Sequence, residues 1–214
     1  MEKVSDMDKS ELESLIVNAV QAATKPISAA LKKLTEEVTR LKSDIEAKDA
    51  KIKDLEYHFD CRLDELEQYG RRNNLRIFGV KETDREVTDD IVVDVASKMD
   101  VKLNASCIDR SHRVGRIGSG GQPRPIIVKF TSYAYRSLMF RSKKKLKGTN
   151  ITVREDLTKP RLKLIKDAVS AYSEKNVWSS DGVVMVNVGL RRPFRLRCPD
   201  DLKELLHKHP PDQE

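Results

Sequence analysis

Aromatic residues and cysteines are scarce in this sequence, and both shortages narrow the class of protein. Aromatic side chains make up 5% of the 214 residues and charged ones 35%, which suits a partly elongated chain better than one large globule. The three cysteines, Cys61, Cys107 and Cys198, lie far apart and without C-x-x-C spacing. An odd number of scattered cysteines is typical of a reducing compartment and argues against a disulfide framework or a zinc knuckle.

Long apolar runs and catalytic motifs are also missing. No apolar run approaches the roughly 18 residues of a membrane span, and the mixed, acidic start Met1–Glu13 does not resemble a signal peptide. The glycines from Gly115 to Gly121 lack the Gly-Lys-Ser/Thr ending of a phosphate-binding loop, and no histidine has a Cys or Asp partner at triad or metal-ligand spacing. The sequence therefore predicts a soluble, intracellular protein that is not an enzyme and needs no cofactor, metal or membrane.

Acidic residues are absent from residues 110–154, which contain twelve Lys or Arg. Acids make up 34 of the 214 residues, so an even spread would place about seven of them there. With no acid in this window, its positive field favours a polyanion, and long nucleic acid is the usual one. A solvated basic face is the alternative, but the window also contains a predicted strand and a predicted helix. We therefore expect a folded basic surface that binds nucleic acid.

Charge is distributed unevenly between the two parts of the chain. Residues 1–69 carry 11 basic and 16 acidic side chains, a net charge of −5, whereas residues 70–214 carry 30 and 18, a net charge of +12. Opposite net charges predict that the two regions do different jobs.

The first region is predicted to be helical. Ser10 and Glu13 have the spacing of a capping box at the start of a short helix, and Pro26 is expected to interrupt or restart that helix. These observations assign residues 1–30 to an N-terminal helical segment.

Residues 31–70 are predicted to form a coiled coil that associates with copies of itself, because apolar residues recur every seven positions between dense charges. The β-branched residues at one core position favour two strands. The run from Arg62 to Glu67 resembles a signature associated with trimers, so we expect a homo-oligomer in which a trimer is favoured over a dimer. The predicted oligomerisation residues are Leu31, Leu34, Val38, Leu41, Ile45, Ile52, Leu55, Phe59, Arg62, Leu63, Leu66 and Glu67.

Residues 71–155 read as β-α-β-β-α-β, with strands at 75–80, 107–114, 125–130 and 150–153 and helices at 88–99 and 132–146. That order is ferredoxin-like, the topology shared by RNA recognition motifs. Residues 156–208 are predicted to form a small α+β domain. Because it is too small to bury a generous core alone, we expect it to pack against the preceding domain. Residues 209–214 form a tail. The predicted fold class is thus α+β with an N-terminal coiled coil.

Base stacking is expected to be weak on the four-stranded sheet. The two central strands offer only Phe78 and Phe130, while Ile126 and Val128 occupy the positions where stacking rings are expected. Binding should therefore depend on phosphate contacts, which give affinity and salt dependence but little sequence preference.

Three segments in order, Tyr69–Val80 directly after the coil, Arg124–Phe130 and Lys145–Gly148, resemble the first-open-reading-frame protein of LINE retrotransposons and its domesticated or viral relatives. The resemblance covers roughly residues 30–207. It implies a coiled-coil trimer, an RNA recognition motif and a small C-terminal domain that jointly grip single-stranded RNA. It also implies nucleic-acid chaperone activity and a ribonucleoprotein particle. The sequence departs from some relatives in lacking an N-terminal zinc-binding module and a C-terminal zinc knuckle.

The charge pattern and the resemblance together predict the residues that contact RNA. The candidates are Arg71, Arg72, Arg76, Arg113, Arg124, Lys129, Arg141, Lys143, Lys144, Lys145 and Arg161. Arg191, Arg192, Arg195 and Arg197 are added on charge alone. Each could instead be a cation that serves only solubility, and residues 143–147 also read as a nuclear-import patch.

The expected partner is single-stranded RNA, or single-stranded DNA, in a ribonucleoprotein located in the cytoplasm or also the nucleus. The alternative is a structural coiled-coil adaptor whose basic half binds protein or DNA.

Overall fold

Two compact units, Met1–His58 and Phe59–Glu214, make up the chain. The computed structural model describes residues 8–116 and 122–211. The architecture is α+β, with one long N-terminal helix and two antiparallel sheets. The segment between the second and third predicted strands and the predicted tail lie partly outside the described residues, as does the beginning of the N-terminal segment.

The long helix, α1, runs from Lys9 to Gly70. The expectation that Pro26 interrupts it is wrong, because α1 continues through that residue. Proline removes its own N–H bond and crowds the carbonyl of the preceding turn, but the alanine pairs at 22–23 and 29–30 on either side have the highest intrinsic helix propensity. Among the described residues, no helix combines the length and the apolar character needed to cross a membrane.

In the first unit the apolar residues of α1 are exposed. The predicted oligomerisation residues from Leu31 to Leu55 are 44–63% exposed. A stripe of large apolar side chains in water is unfavourable for an isolated helix, and its burial is what stabilises helix association.

The second unit contains a four-stranded sheet. Its strands are β1 Asn74–Phe78, β2 Ile108–Arg113, β3 Ile126–Phe130 and β4 Thr152–Glu155, in the spatial order β2-β3-β1-β4 with all neighbours antiparallel. Between them lie α2 Thr88–Ser97 and α3 Tyr133–Ser142, and short 3₁₀ turns occupy Ala105–Cys107 and Lys143–Leu146. The element order is therefore the predicted one, although the second helix ends four residues earlier and the fourth strand begins two residues later.

Alternation along the central strands decides which side chains form the core. Ile126, Val128 and Phe130 on β3 are buried with Leu75 and Ile77 on β1. The expectation that Ile126 and Val128 occupy base-stacking positions is wrong, because successive strand residues point to opposite faces and these face the helices. The other face, called the open face below, carries Phe78 on β1 together with Ile127 and Lys129 on β3.

The C-terminal elements form a second core. They are α4 Lys159–Tyr172, a 3₁₀ turn at Glu174–Asn176, β5 Val177–Ser180, β6 Val183–Val186, β7 Phe194–Leu196 and α5 Pro199–Lys208. The strands form an antiparallel sheet in the order β5-β6-β7, whose inner residues Val184 and Leu196 pack with Leu164 and Leu205 of the helices. The hydroxyl of Thr158 accepts a bond from the backbone N–H of Arg161 and so caps the start of α4.

The end of α1 is built into this second unit by buried polar contacts. The Asp64 carboxylate accepts from Nε of Arg161 at 2.8 Å and from the Thr158 hydroxyl. The Gln68 amide donates to the carbonyl of Asp156 at 3.1 Å and accepts from the N–H of Thr158 at 3.0 Å. Arg161 also donates to the carbonyl of Gly182 at 2.6 Å. We call this set of contacts the junction.

A second group of contacts joins α3 to the C-terminal sheet. Arg136 forms a buried ion pair with Glu155 and a second one with Asp181 at 3.2 Å. The Tyr133 hydroxyl donates to Asp181 at 2.6 Å, and the N–H of Gly182 donates to Glu155. The C-terminal elements therefore pack against the preceding domain, as predicted.

Removal of one partner of the junction should destabilise the second unit strongly. We expect Arg161→Ala to lower the free energy of unfolding by about 3–5 kcal/mol, because it leaves the buried Asp64 carboxylate without its cation. Urea unfolding followed by circular dichroism measures the change. The control Arg72→Ala removes an exposed arginine and should change the free energy of unfolding by less than about 0.5 kcal/mol. Equal losses in the two variants would contradict a structural role for the junction.

Candidate nucleic-acid interface

Folding neutralises part of the acid-free window. Five of its twelve cations form ion pairs with acids from outside it, namely Arg113 with Glu86, Arg124 with Glu82, Lys129 with Asp109, Arg136 with Glu155 and Lys145 with Asp100. The expectation that no nearby carboxylate compensates the positive charge of this window is therefore wrong for these five cations. Acids that lie far along the chain are brought beside the cations by strand pairing and by the packing of α2 and α3.

Two of the predicted RNA-binding residues are buried. Arg113 donates to both carboxylate oxygens of Glu86, at 2.6 and 3.0 Å, and to the backbone carbonyls of Val80 and Arg124. Arg161 is held by the junction. Buried guanidinium groups whose donors are used internally support the fold, so the prediction that these two contact phosphate is corrected.

Four further candidates are half-buried and paired. Arg71 and Arg76 both donate to Oδ1 of Asp156, at 3.2 and 2.6 Å. Arg124 forms a bidentate contact with Glu82, and Lys129 lies 3.0 Å from Asp109. Lys145 is exposed but also paired. Each of these cations has part of its charge compensated before any ligand arrives.

The remaining candidates are exposed and have no carboxylate partner among the described residues. Arg72 stacks on the Tyr69 ring at 4.2 Å from its centroid, and Arg141, Lys143 and Lys144 lie at the end of α3 and in the turn after it. Four exposed, unpaired cations of the window were missed as candidates: Arg110, Arg116, Lys147 and Arg154. Arg154 could have been found, because it follows buried Val153 on β4 and strand alternation places it outside.

Several of these cations surround one groove. It is lined by the turn after α3 and by β4, has a volume of about 530 Å³, and includes Lys143, Lys144, Lys147 and Arg154 but no Asp or Glu. The ammonium of Lys143 lies 3.8 Å from the centroid of the Phe140 ring, and partial desolvation of this otherwise exposed side chain lowers the pKa of the lysine below its usual 10.5. We call this the basic groove.

The basic groove adjoins the open face of the four-stranded sheet. Strand register places Arg154, Arg76, Ile127 and His112 in one row across β4, β1, β3 and β2. The guanidinium of Arg154 lies 5.5 Å from the centroid of the Phe78 ring. The open face and the groove thus share Arg154, and together they present several cations and the Phe78 ring. Such a surface can bind a chain of phosphates and can stack a single base.

The predicted oligomerisation residues of the second unit lie on the side of α1 that faces away from the junction. Phe59, Leu63 and Leu66 are 53–71% exposed, whereas Asp64 and Gln68 are buried in the junction. Within the chain, Arg62 donates to Glu65 at 3.3 Å, and Glu67 accepts from Arg71 at 2.6 Å.

Stability at low pH should depend on Glu86, whose carboxylate forms an ion pair with the Arg113 guanidinium. The side-chain bond from Arg113 holds the pKa of the Glu86 carboxyl below its usual 4.5. A carboxyl whose pKa is lower in the folded state stabilises the fold fully above its unfolded pKa, and that contribution is lost as the pH falls through the folded pKa.

We therefore expect Glu86→Gln to lose less stability than the wild type between about pH 6 and about pH 3, measured as the shift in urea midpoint. Asp84→Asn changes an exposed carboxyl on the same loop and serves as the control. The same acid-induced shift in Glu86→Gln and wild type would contradict the role given to this ion pair.

Comparison with known proteins adds no family. No family model matches this chain, and no curated protein matches it. The function must therefore be argued from the residues of the basic groove, the open face and α1.

Proposed function

We propose that the chain is an oligomeric single-stranded RNA-binding protein. The observation that carries the proposal is the basic groove, where Lys143, Lys144, Lys147 and Arg154 surround a depression without a carboxylate. Uncompensated cations around a groove attract a phosphate chain, and the counterions released on binding supply much of the affinity.

The arrangement of the second unit supports an RNA recognition motif-like domain. The strand order β2-β3-β1-β4, with α2 and α3 packed on one face, supports a ferredoxin-like sheet. In such domains RNA lies on the face that the helices leave free. Here that face carries Arg76, His112 and Arg154 around Phe78.

Binding is expected to be largely independent of sequence. Phosphate contacts do not read bases, and the described open face has Phe78 as its single Phe, Tyr or Trp side chain. A protein of this kind coats a strand instead of selecting a site, which agrees with the chaperone activity and ribonucleoprotein implied by the resemblance to LINE proteins. Single-stranded DNA has the same phosphates and should also bind.

Self-association belongs to the same proposal. The heptad residues of α1 are exposed from Leu31 to Leu66, and a coiled coil of several chains would bury them. We favour a trimer because of the run Arg62–Glu67. An oligomer binds one long strand through several domains, which raises its overall affinity.

The salt dependence of RNA binding tests the basic groove. For single strands the slope of log affinity against log salt is about −0.7 for each phosphate neutralised, so six contacts give about −4. We expect Lys143→Ala/Lys144→Ala/Arg154→Ala to weaken binding of an RNA of about 30 nucleotides and to make that slope shallower by about 2. Fluorescence anisotropy of labelled RNA across a salt series measures both.

The matched control is Lys163→Ala/Lys166→Ala/Lys175→Ala, which removes the same charge from exposed positions on and after α4. Its slope should stay close to that of the wild type. Identical slopes in both triple variants would contradict a specific role for the groove, and absence of binding by the wild type at low salt would refute the proposed function.

A further inference from the structure

The C-terminal sheet has an outer face that contains the one tryptophan of the chain. Strand register aligns Trp178 on β5 with Met185 on β6 and Arg195 on β7. Their neighbours along the strands, such as Val184 and Leu196, are buried against α4 and α5. Because strand residues alternate, the row of Trp178, Met185 and Arg195 lies on the opposite face. We call it the outer row.

One end of this outer face is covered by α1. A side chain at Gly182 would meet the Gln68 side chain at 2.7 Å, Arg197 lies 3.9 Å from Glu65, and Val183 is buried. The outer row is two residues further along β6, about 7 Å away. There Trp178 is 42% exposed and Arg195 is exposed.

The surroundings of the outer row are cationic. Val177, next to Trp178, pairs with Val186, the last residue of β6, so the β6–β7 loop leaves the sheet beside the row. This loop carries Arg191 and Arg192, which are exposed. Within the described residues, Arg191, Arg192 and Arg195 form no ion pair with a carboxylate. An exposed indole among unpaired guanidinium groups complements an anionic ligand that has flat rings.

We propose that Trp178 stacks on an unpaired base of the bound strand, with Met185 and Arg195 beside it and the β6–β7 loop on the adjacent phosphates. Aromatic stacking accepts any base, and arginine adds a cation–π contribution, so the site needs no particular sequence. This stacking site rests on the proposed function and adds a second RNA contact, on the C-terminal domain. A duplex, whose bases are already stacked and paired, would not use it.

Intrinsic fluorescence tests this site directly, because all tryptophan emission of the chain comes from Trp178. Titration of the full chain with unlabelled single-stranded RNA of about 30 nucleotides should quench that emission. The same strand paired into a duplex, and an abasic strand of equal length, should bind by anisotropy competition without quenching.

Variants give an independent readout. Trp178→Ala should weaken binding of single-stranded RNA by about tenfold with an unchanged salt slope, since stacking neutralises no phosphate. Trp178→Phe keeps a ring and should retain most of the affinity. Tyr135→Ala removes an exposed aromatic residue from α3 and should have no effect.

The possible failures are distinguishable. If RNA binds with its expected salt slope while the emission stays constant and Trp178→Ala binds like the wild type, the stacking site is refuted and the proposed function stands. If the emission changes on dilution of the protein and not with RNA, Trp178 belongs to an interface between copies, and the proposal is again refuted. No RNA binding at all would overturn both.

Discussion

The buried ion pair between Asp64 and Arg161 is the interaction on which the arrangement of the second unit depends. A charge that leaves water is tolerated only when a partner compensates it, so each residue fixes the position of the other. Asp64 belongs to α1 and Arg161 to α4, and the same arginine also binds the carbonyl of Gly182 in the β5–β6 turn. The end of α1, the start of α4 and the C-terminal sheet are therefore held as one body without a flexible linker.

The same turns of α1 have a second side that remains available. Leu66 follows Asp64 by two residues, which is roughly 200° around a helix, and it is exposed while Asp64 is buried. The proposed coiled coil can thus extend to Leu66 without disturbing the junction. The same helix would then take part both in oligomerisation and in the junction.

Local sequence patterns predicted the element order, because hydrophobic periodicity is a property of neighbouring residues. The pairing of cations with distant acids could not be predicted in this way. Arg113 and Glu86 are joined only when α2 and β2 pack, so a window without acids appeared uncompensated. The apolar run Ile126–Val128 also conceals which residues face the core, and only the sheet register places Ile127 outside. Trp178 gave no signal, since one tryptophan in a short strand is as compatible with a core as with a surface.

Helix α1 is proposed both to complete the folded unit and to bring copies of the chain together, and sedimentation velocity of the full chain tests this dual role most directly. We predict a single species of three times the chain mass for the wild type. Ile45→Asp/Ile52→Asp, which places charges in the exposed stripe, should sediment as a monomer whose second unit unfolds at the wild-type urea concentration. A wild-type protein that sediments as a monomer at all concentrations would contradict the account.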